Sequence, residues 1–196
     1  SVDEITGYCP VCGQFTVHGA LVTENNYSSL NLSADFVGYY AISNTAELYW
    51  FANEVNNGNA TINAVLTANI VVNENVLNED GTLNGTPTYS WTPIGTGTWG
   101  GIFKGTFDGN GHTISGLYFN NTTDINYPDG GIYVGLISYA DQATIKNVGI
   151  IDSYLKGFKY VGGICGYCTN KYTTITNCYN TGTVSGSYNV GGICGG

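Results

Sequence analysis

Apolar and polar positions alternate over short distances in the last third of the chain. Residues 174–179 (TITNCY) and 181–186 (TGTVSG) are short runs rich in β-branched residues, separated by asparagine and glycine. Runs of this kind are typical of β-strands, and neither is long enough to favour a helix. The pattern therefore predicts short strands joined by tight turns.

The same pattern returns as an internal repeat. The sequence VGGICG starts at Val161 and again at Val190, a period of 29 residues, and a weaker copy, VGLI, starts at Val134, 27 residues before Val161. Periods of roughly 20 to 50 residues are typical of stacked units, each of which buries its apolar face only when a neighbour covers it. We therefore predict a stack of similar coils.

Alignment of the repeats indicates how the coils would form a core. It places Ile145 over Ile175 and Leu155 over Val184. Successive coils of a parallel solenoid lie about 4.8 Å apart, so equivalent side chains stack into ladders. The sequence predicts an all-β fold, a parallel β-helix or β-solenoid, with apolar ladders inside.

One stretch departs from this pattern and has helical spacing. Asn44 is placed to cap a helix, Glu47 completes a pair resembling a capping box, and Gly58 follows the last turn. The apolar residues on one face are Leu48, Phe51, Ala52 and Val55. The first coil of a solenoid exposes strand edges that need a cover. We expect this one short N-terminal helix to cap that end; packing on the flank is the alternative.

The chain divides into two parts. Residues 1–40 do not match the repeat pattern of the rest of the chain. We interpret them as an N-terminal extension and a possible strand donor. Residues 41–196 would form the β-helix, with the clearest repeats at 134–196. A first long strand is predicted at 64–72 and a loop at 120–130.

Composition and charge exclude several partners. The chain has 196 residues, of which 42% are hydrophobic, and a formal net charge of −9 from 14 acidic residues and five lysines. Nucleic acid is an unsuitable partner because binding phosphates requires clustered cations. No run reaches the roughly 18 apolar residues of a spanning helix, so we expect no membrane insertion. The chain contains no methionine, which indicates that Ser1 is not a translation start and fits a processed or excised segment.

The repeats resemble a known family. The sequence GGICG at 162–166 and 191–195, with ITNCYNTGTVSG at 175–186 between the two copies, is similar to the GLUG-motif repeats of bacterial surface and secreted proteins. FDGNGHTISGL at 107–117 resembles segments that precede such repeats. The resemblance covers about residues 40–196 and implies a right-handed parallel β-helix of the pectin-lyase-like type in an extracellular, bacterial cell-surface setting. It also implies a spacer, adhesive or binding role.

Two CxxC sequences suggest a metal site. Cys9 and Cys12 precede a glycine and resemble one zinc knuckle, in which both thiolates face one cation. Cys165 and Cys168 could supply the second pair. Zinc is therefore one reading of these four cysteines.

Packing and disulfide bonds are the other two readings. Cys165 corresponds to Cys194 in the next repeat, and Cys178 replaces Val148 in a ladder, so all three suit a core as small apolar thiols. An even number of cysteines in a secreted chain also favours disulfides. The six disulfide candidates are Cys9, Cys12, Cys165, Cys168, Cys178 and Cys194.

Few residues suggest calcium binding or catalysis. Asp108 and Asn110, in the sequence DGNG, offer oxygens to calcium, although a tight turn explains them equally well. A glycoside hydrolase would need two carboxylates across a groove, and Asp108, Asp141 and Asp152 are candidates only as acidic residues on coils. Lyases of this fold commonly use arginine or lysine near calcium or acidic residues, and this chain contains no arginine. We therefore expect no enzymatic activity and no cofactor, with zinc or calcium as the open alternatives.

Two non-enzymatic functions remain. The coils can form a spacer or adhesive surface whose tyrosine, asparagine and threonine side chains contact a glycan or a host surface protein. Alternatively, residues 190–196 begin a coil whose edge another copy completes with residues 8–22, giving a head-to-tail filament; a fragment of a longer repeat protein explains the same feature. We predict an extracellular structural or adhesive module, with a carbohydrate-binding or carbohydrate-active domain as the alternative.

Overall fold

The computed structural model describes residues 2–97, 101–126, 129–169 and 171–196. Within these ranges the fold is mostly β-strand with one α-helix, as predicted. Residues 127–128 of the predicted loop lie outside the described residues. No helix in the described ranges has the length and apolar character needed to cross a membrane.

The elements are short throughout. The helix α1 is Thr45–Asn56, and a 3₁₀ turn covers Ala34–Phe36. The first ten strands are β1 (Tyr8–Cys9), β2 (Gln14–Phe15), β3 (Ala20–Leu21), β4 (Tyr40–Ile42), β5 (Ala64–Leu66), β6 (Ile70–Val71), β7 (Thr106–Asp108), β8 (Thr113–Ser115), β9 (Tyr118–Asn120) and β10 (Ile132–Val134). The second ten are β11 (Ile137–Asp141), β12 (Thr144–Lys146), β13 (Gly149–Ile151), β14 (Tyr154–Lys156), β15 (Lys159–Gly162), β16 (Cys165–Thr169), β17 (Thr174–Thr176), β18 (Tyr179–Asn180), β19 (Thr183–Ser185) and β20 (Tyr188–Gly191).

Strands from successive repeats pair in parallel. The orders β7–β12–β17, β8–β13–β18, β9–β14–β19 and β10–β15–β20 each take one strand from three consecutive segments of the chain, and β11 pairs with β16. Ile145 pairs with Ile175, and Leu155 pairs with Val184. These are the registers that the aligned repeats predict, and the parallel sheets are consistent with the expected β-helix.

The inward side chains of these ladders form one apolar core. Phe107 and Ile145 are fully buried neighbours in adjacent strands. Val134 and Val161 repeat the arrangement in another sheet, and both are also fully buried. Each repeat therefore contributes side chains to a core that continues into the next repeat, so burial in one repeat depends on its neighbour.

Helix α1 begins where its sequence predicts, and its predicted apolar face is buried. Asn44 Oδ1 accepts a hydrogen bond from the Glu47 amide at 3.0 Å, and Glu47 Oε2 accepts one from the Ser43 amide at 2.6 Å. These contacts satisfy amides at the start of the helix that have no partner within it. The apolar face packs on the main core, where the Phe51 and Phe107 ring centroids are 6.1 Å apart.

The first long strand departs from the prediction. The segment 64–72 is not one strand, because β5 ends at Leu66 and β6 begins at Ile70. Asn69 lies at the corner between them, and its Oδ1 accepts a hydrogen bond from the Thr113 amide at 3.0 Å. The apolar run therefore spans two faces of the fold and the corner that joins them.

The N-terminal extension folds against the rest of its own chain. β3 pairs antiparallel with β4 and thereby joins the edge of a six-stranded sheet. Val22 and Leu32 are buried with Ala41 and Val65 in a second, smaller apolar cluster. The segment 8–22, which the sequence suggests as a strand donor, is thus paired within the chain in this structure.

Candidate functional site

Three cysteine side chains converge near the last coil. Cys165 begins β16, Cys168 follows on the same strand, and Cys194 pairs with Cys165 in a parallel bridge from the next repeat. The Sγ atoms of Cys165 and Cys168 are 3.4 Å apart, and those of Cys168 and Cys194 are 3.5 Å apart. All three Sγ atoms lie within 4.8 Å of one another. We call these residues the three-cysteine cluster.

The three-cysteine cluster lies at the boundary between core and solvent. Cys165 is fully buried, whereas Cys168 and Cys194 are half-buried. The Cys168 amide donates to the Gly196 carbonyl at 2.8 Å, and the Cys194 thiol donates to the same carbonyl at 3.2 Å. These bonds hold residues 194–196 against β16, so the position of the third sulfur depends on the start of the next coil.

Contacts within the cluster separate the pKa values of its thiols. Burial and hydrogen bonding raise the pKa of Cys165 well above its usual range. At Cys168 the hydrogen bond with Cys165 lowers the pKa, but the hydrogen bond with Cys194 and burial outweigh it and raise the pKa to about 12. Hydrogen bonds with Cys165 and then Cys168 lower the pKa of Cys194 to about 3. The hydrogen bonds shared among the three sulfurs therefore favour ionisation at Cys194 over ionisation at Cys165 or Cys168.

The other CxxC sequence lies apart from this cluster. Cys9 and Cys12 flank the turn between β1 and β2, where the Cys12 amide donates to Cys9 Sγ at 3.3 Å. Neither sulfur belongs to the group formed by Cys165, Cys168 and Cys194. The structure therefore does not bring together the two CxxC pairs that the sequence suggests as one zinc site. All six cysteines are free thiols.

Cys178 has the environment expected of a core thiol. It is half-buried and packs against the main apolar core. Burial raises the pKa of its thiol. Its Sγ contacts the backbone carbonyls of Thr176 at 3.3 Å and Ile145 at 3.8 Å. This environment agrees with the reading that Cys178 takes the place of an apolar ladder residue.

The Asp108 carboxylate, one of the two proposed calcium ligands, is occupied by protein contacts. The Asp108 carboxylate is buried, and its Oδ1 accepts hydrogen bonds from the Asn110 amide at 2.8 Å and from Asn147 Nδ2 at 3.0 Å. Its Oδ2 lies 3.4 Å from Lys146 Nζ. A carboxylate with these partners, beside an ammonium group, has little capacity for a calcium ion. The geometry favours the turn interpretation of Asp108 and Asn110.

The turn that contains Asn147 repeats in the next coil. Asn147 and Asn177 both have left-handed backbone conformations, with φ of 57° and 51°. Asn177 Nδ2 donates to Asn147 Oδ1 at 2.7 Å, and Asn147 donates in turn to Asp108. Asparagine tolerates this conformation better than most residues. The two amides therefore form a polar ladder at the turns of successive repeats.

The remaining acidic candidates also have structural partners. Asp141 Oδ2 lies 3.5 Å from Lys104 Nζ. Asp152 accepts hydrogen bonds from the amides of Val76 and Leu77 at 3.1 and 2.8 Å, and so fixes the loop after β6. Each carboxylate is held by a different part of the chain.

A group of tyrosines forms an aromatic surface that the sequence analysis did not identify. We call it the tyrosine cluster, and its members are Tyr133, Tyr139, Tyr160 and Tyr167. Tyr133 and Tyr160 stack with centroids 5.3 Å apart and planes 12° apart, and Tyr160 and Tyr167 are 4.9 Å apart. All four rings are partly exposed. The signal was present in the repeat, because Tyr133 and Tyr160 both directly precede the VG sequence of a copy.

Comparisons with known proteins confirm the resemblance. The family model of the GLUG motif matches residues 159–185. Halomucin from Haloquadratum walsbyi (strain DSM 16790 / HBSQ001) is 35% identical over 94 residues, which are 47% of this chain and 1% of halomucin. The chain thus spans about one hundredth of the length of this curated relative. No solved structure matches the chain.

Proposed function

We propose that this chain is a non-catalytic, surface-associated structural module folded as a right-handed parallel β-helix. The observation that carries the proposal is the register of the repeats, in which Val161 pairs with Val134 on one side and Val190 on the other. Such a stack gains length and stability from neighbouring coils. The GLUG match and the similarity to halomucin support a surface-associated, extracellular repeat module.

The environments of the acidic side chains support a structural role. A hydrolase needs a pair of carboxylates free to face a sugar from opposite sides. Asp108 and Asp141 instead each face a lysine ammonium group. Asp152 accepts hydrogen bonds from two backbone amides. Their contacts join adjacent strands or fix a loop, which is what a rigid module requires.

The last coil offers an edge for association. In the described part of the chain, β17, β18, β19 and β20 are each the outer strand of their sheet. Tyr179, Tyr188 and Val190 are exposed on these strands. An edge of this kind is a template for strand addition. We propose that residues 8–22 of a second copy add to it, because the strand that joins them to the main sheet of their own chain, β3, is only two exposed residues long.

Assembly is tested by negative-stain electron microscopy over a concentration series. We expect head-to-tail filaments from the full chain. Deletion of residues 1–22 removes the donor, and Val190→Lys places a charge on the receiving edge, which opposes strand addition. Both changes should raise the concentration at which filaments appear by roughly tenfold or more, since tenfold corresponds to only about 1.4 kcal/mol.

A matched substitution separates edge effects from general effects of added charge. Ile125 is about as exposed as Val190 but lies in the loop between β9 and β10, so Ile125→Lys should leave assembly unchanged. Monomeric particles of the full chain at every concentration would contradict self-assembly. In that case the chain would act as a spacer without end-to-end contacts of its own.

The tyrosine cluster favours a second candidate function, carbohydrate binding. Aromatic faces stack on the apolar faces of sugar rings, and phenolic hydroxyls donate to sugar oxygens. Tyr139 and Tyr167 lie on the paired strands β11 and β16 with ring centroids 5.1 Å apart. Lys159 Nζ lies 4.7 Å from the centroid of Tyr160 and adds a cation at the edge of this surface.

A glycan array tests this alternative. We expect at least one saccharide class to bind the unmodified chain and to lose roughly tenfold or more in affinity with Tyr139→Ala or Tyr167→Ala, because each removes one stacking face. The control is Tyr172→Ala, which removes an exposed tyrosine outside the cluster. Equal binding by all three variants would eliminate the cluster as the glycan site.

A further inference from the structure

We propose that Cys165, Cys168 and Cys194 bind a single thiophilic d¹⁰ cation, for which copper(I) is the best match. This site differs from the four-cysteine zinc site suggested by the sequence, because it takes its third sulfur from the following repeat instead of from the N-terminal CxxC. It is also independent of the structural role proposed above.

The sulfur geometry fits one cation. Three thiolates bound in a plane at about 2.3 Å from a metal ion have sulfurs about 4 Å apart. The observed Sγ separations are 3.4 and 3.5 Å, with the third within 4.8 Å. Small rotations of the side chains are enough to place all three around a common centre.

The repeat accounts for two of the three sulfurs but not for that of Cys168. Cys165 and Cys194 occupy the same repeat position, so stacking alone brings their side chains together. In the preceding coil the partners of Cys165 and Cys168 are Ile137 and Ala140, which are apolar. Cys165 and Cys168 therefore replace apolar residues of the preceding repeat, at the point where three sulfur atoms converge. Stacking of equivalent positions explains the contact between Cys165 and Cys194, but it does not explain the presence of Cys168.

The number of ligands selects the metal. Among the described residues, no further cysteine, histidine or carboxylate joins the group. Structural zinc is almost always bound by four protein ligands. Soft thiolate ligands also select copper(I), which accepts three. The half-burial of Cys168 and Cys194 leaves a route from solvent, whereas Cys165 closes the site towards the core.

The proposal is tested by anaerobic titration of the fully reduced chain with copper(I), with bicinchoninate as the competing chelator. We expect one equivalent to bind the unmodified chain, with three copper–sulfur contacts in the X-ray absorption spectrum. Cys168→Ser and Cys194→Ser should each weaken binding roughly 100-fold or more, because each leaves two ligands. Cys178→Ser is the matched control, since it also leaves five cysteines but removes one outside the cluster.

Several outcomes would overturn the site. One is binding of copper(I) by Cys194→Ser with unchanged affinity; another is loss of binding when Cys9 and Cys12 are replaced instead. Tighter binding of zinc than of copper(I) by the same residues would overturn the choice of metal. Circular dichroism of the metal-free variants checks folding, and Cys168→Ala provides a second variant if serine destabilises the strand.

Discussion

Replacement of Phe107 by alanine is expected to lower the free energy of unfolding by about 3–5 kcal/mol. Phe107 is fully buried and pairs with Ile145 on one side and Ala64 on the other. Its ring also packs against Phe51 of α1. Truncation would therefore leave a cavity where the helix meets the first regular coils, and rigid ladders on both sides would limit its collapse.

Urea denaturation, followed by tryptophan fluorescence, measures this effect. Val11→Ala is the control, because Val11 is 86% exposed in the turn between β1 and β2, and its truncation should change the free energy of unfolding by less than about 0.5 kcal/mol. A loss below about 1 kcal/mol for Phe107→Ala would mean that α1 does not pack on the ladder as described.

Gly116→Ala is expected to cost more than about 4 kcal/mol or to prevent folding, a loss that requires a specific mechanism. Gly116 has a φ of 79°, and a Cβ atom there would lie 1.9 Å from the carbonyl oxygen of Asn73. That backbone is fixed, because Asn73 Nδ2 donates to the carbonyls of Gly116 and Tyr89, both at 2.8 Å. The substitution therefore combines an unfavourable backbone conformation with a clash that no side-chain rotation relieves.

Gly111→Ala isolates the first of these two terms. Gly111 has a nearly equal φ of 82°, but a Cβ atom there would meet nothing within 4 Å. Its cost should be about 1–2 kcal/mol, the penalty of the left-handed conformation alone. Thermal and urea unfolding of both variants give the difference. Equal losses for the two glycines would show that Asn73 moves away freely.

The repeat made the register predictable, because the side chains that stack are those at equivalent positions. Val161 and Val190 pair as their shared sequence requires, and Asn44 caps α1 because its capping-box partner lies three residues later. Segments without a repeat gave no such signal. Ile94 and Phe103 are fully buried and bridge to β11 through isolated contacts, which only the folded chain reveals.

The three-cysteine cluster was only half predictable. Alignment placed Cys194 on Cys165, but regular alternation puts residues three apart on opposite faces of a strand. The convergence of Cys168 with both therefore depends on the local path of β16. The tyrosine cluster was missed for a different reason, because Tyr133 and Tyr160 adopt φ values of 65° and 53°, which are rare for bulky residues.

The amide ladder has a consequence for how such a molecule can change in length. Asn147 both donates to Asp108 on one side and accepts from Asn177 on the other, so this rung presents an amide oxygen to the next repeat and an amide N–H to the previous one. Duplication of one coil would find partners on both faces without any change in the flanking residues. In the β-helix proposed above, the gain or loss of whole repeats would therefore change the length of the protein while its cross-section stays constant.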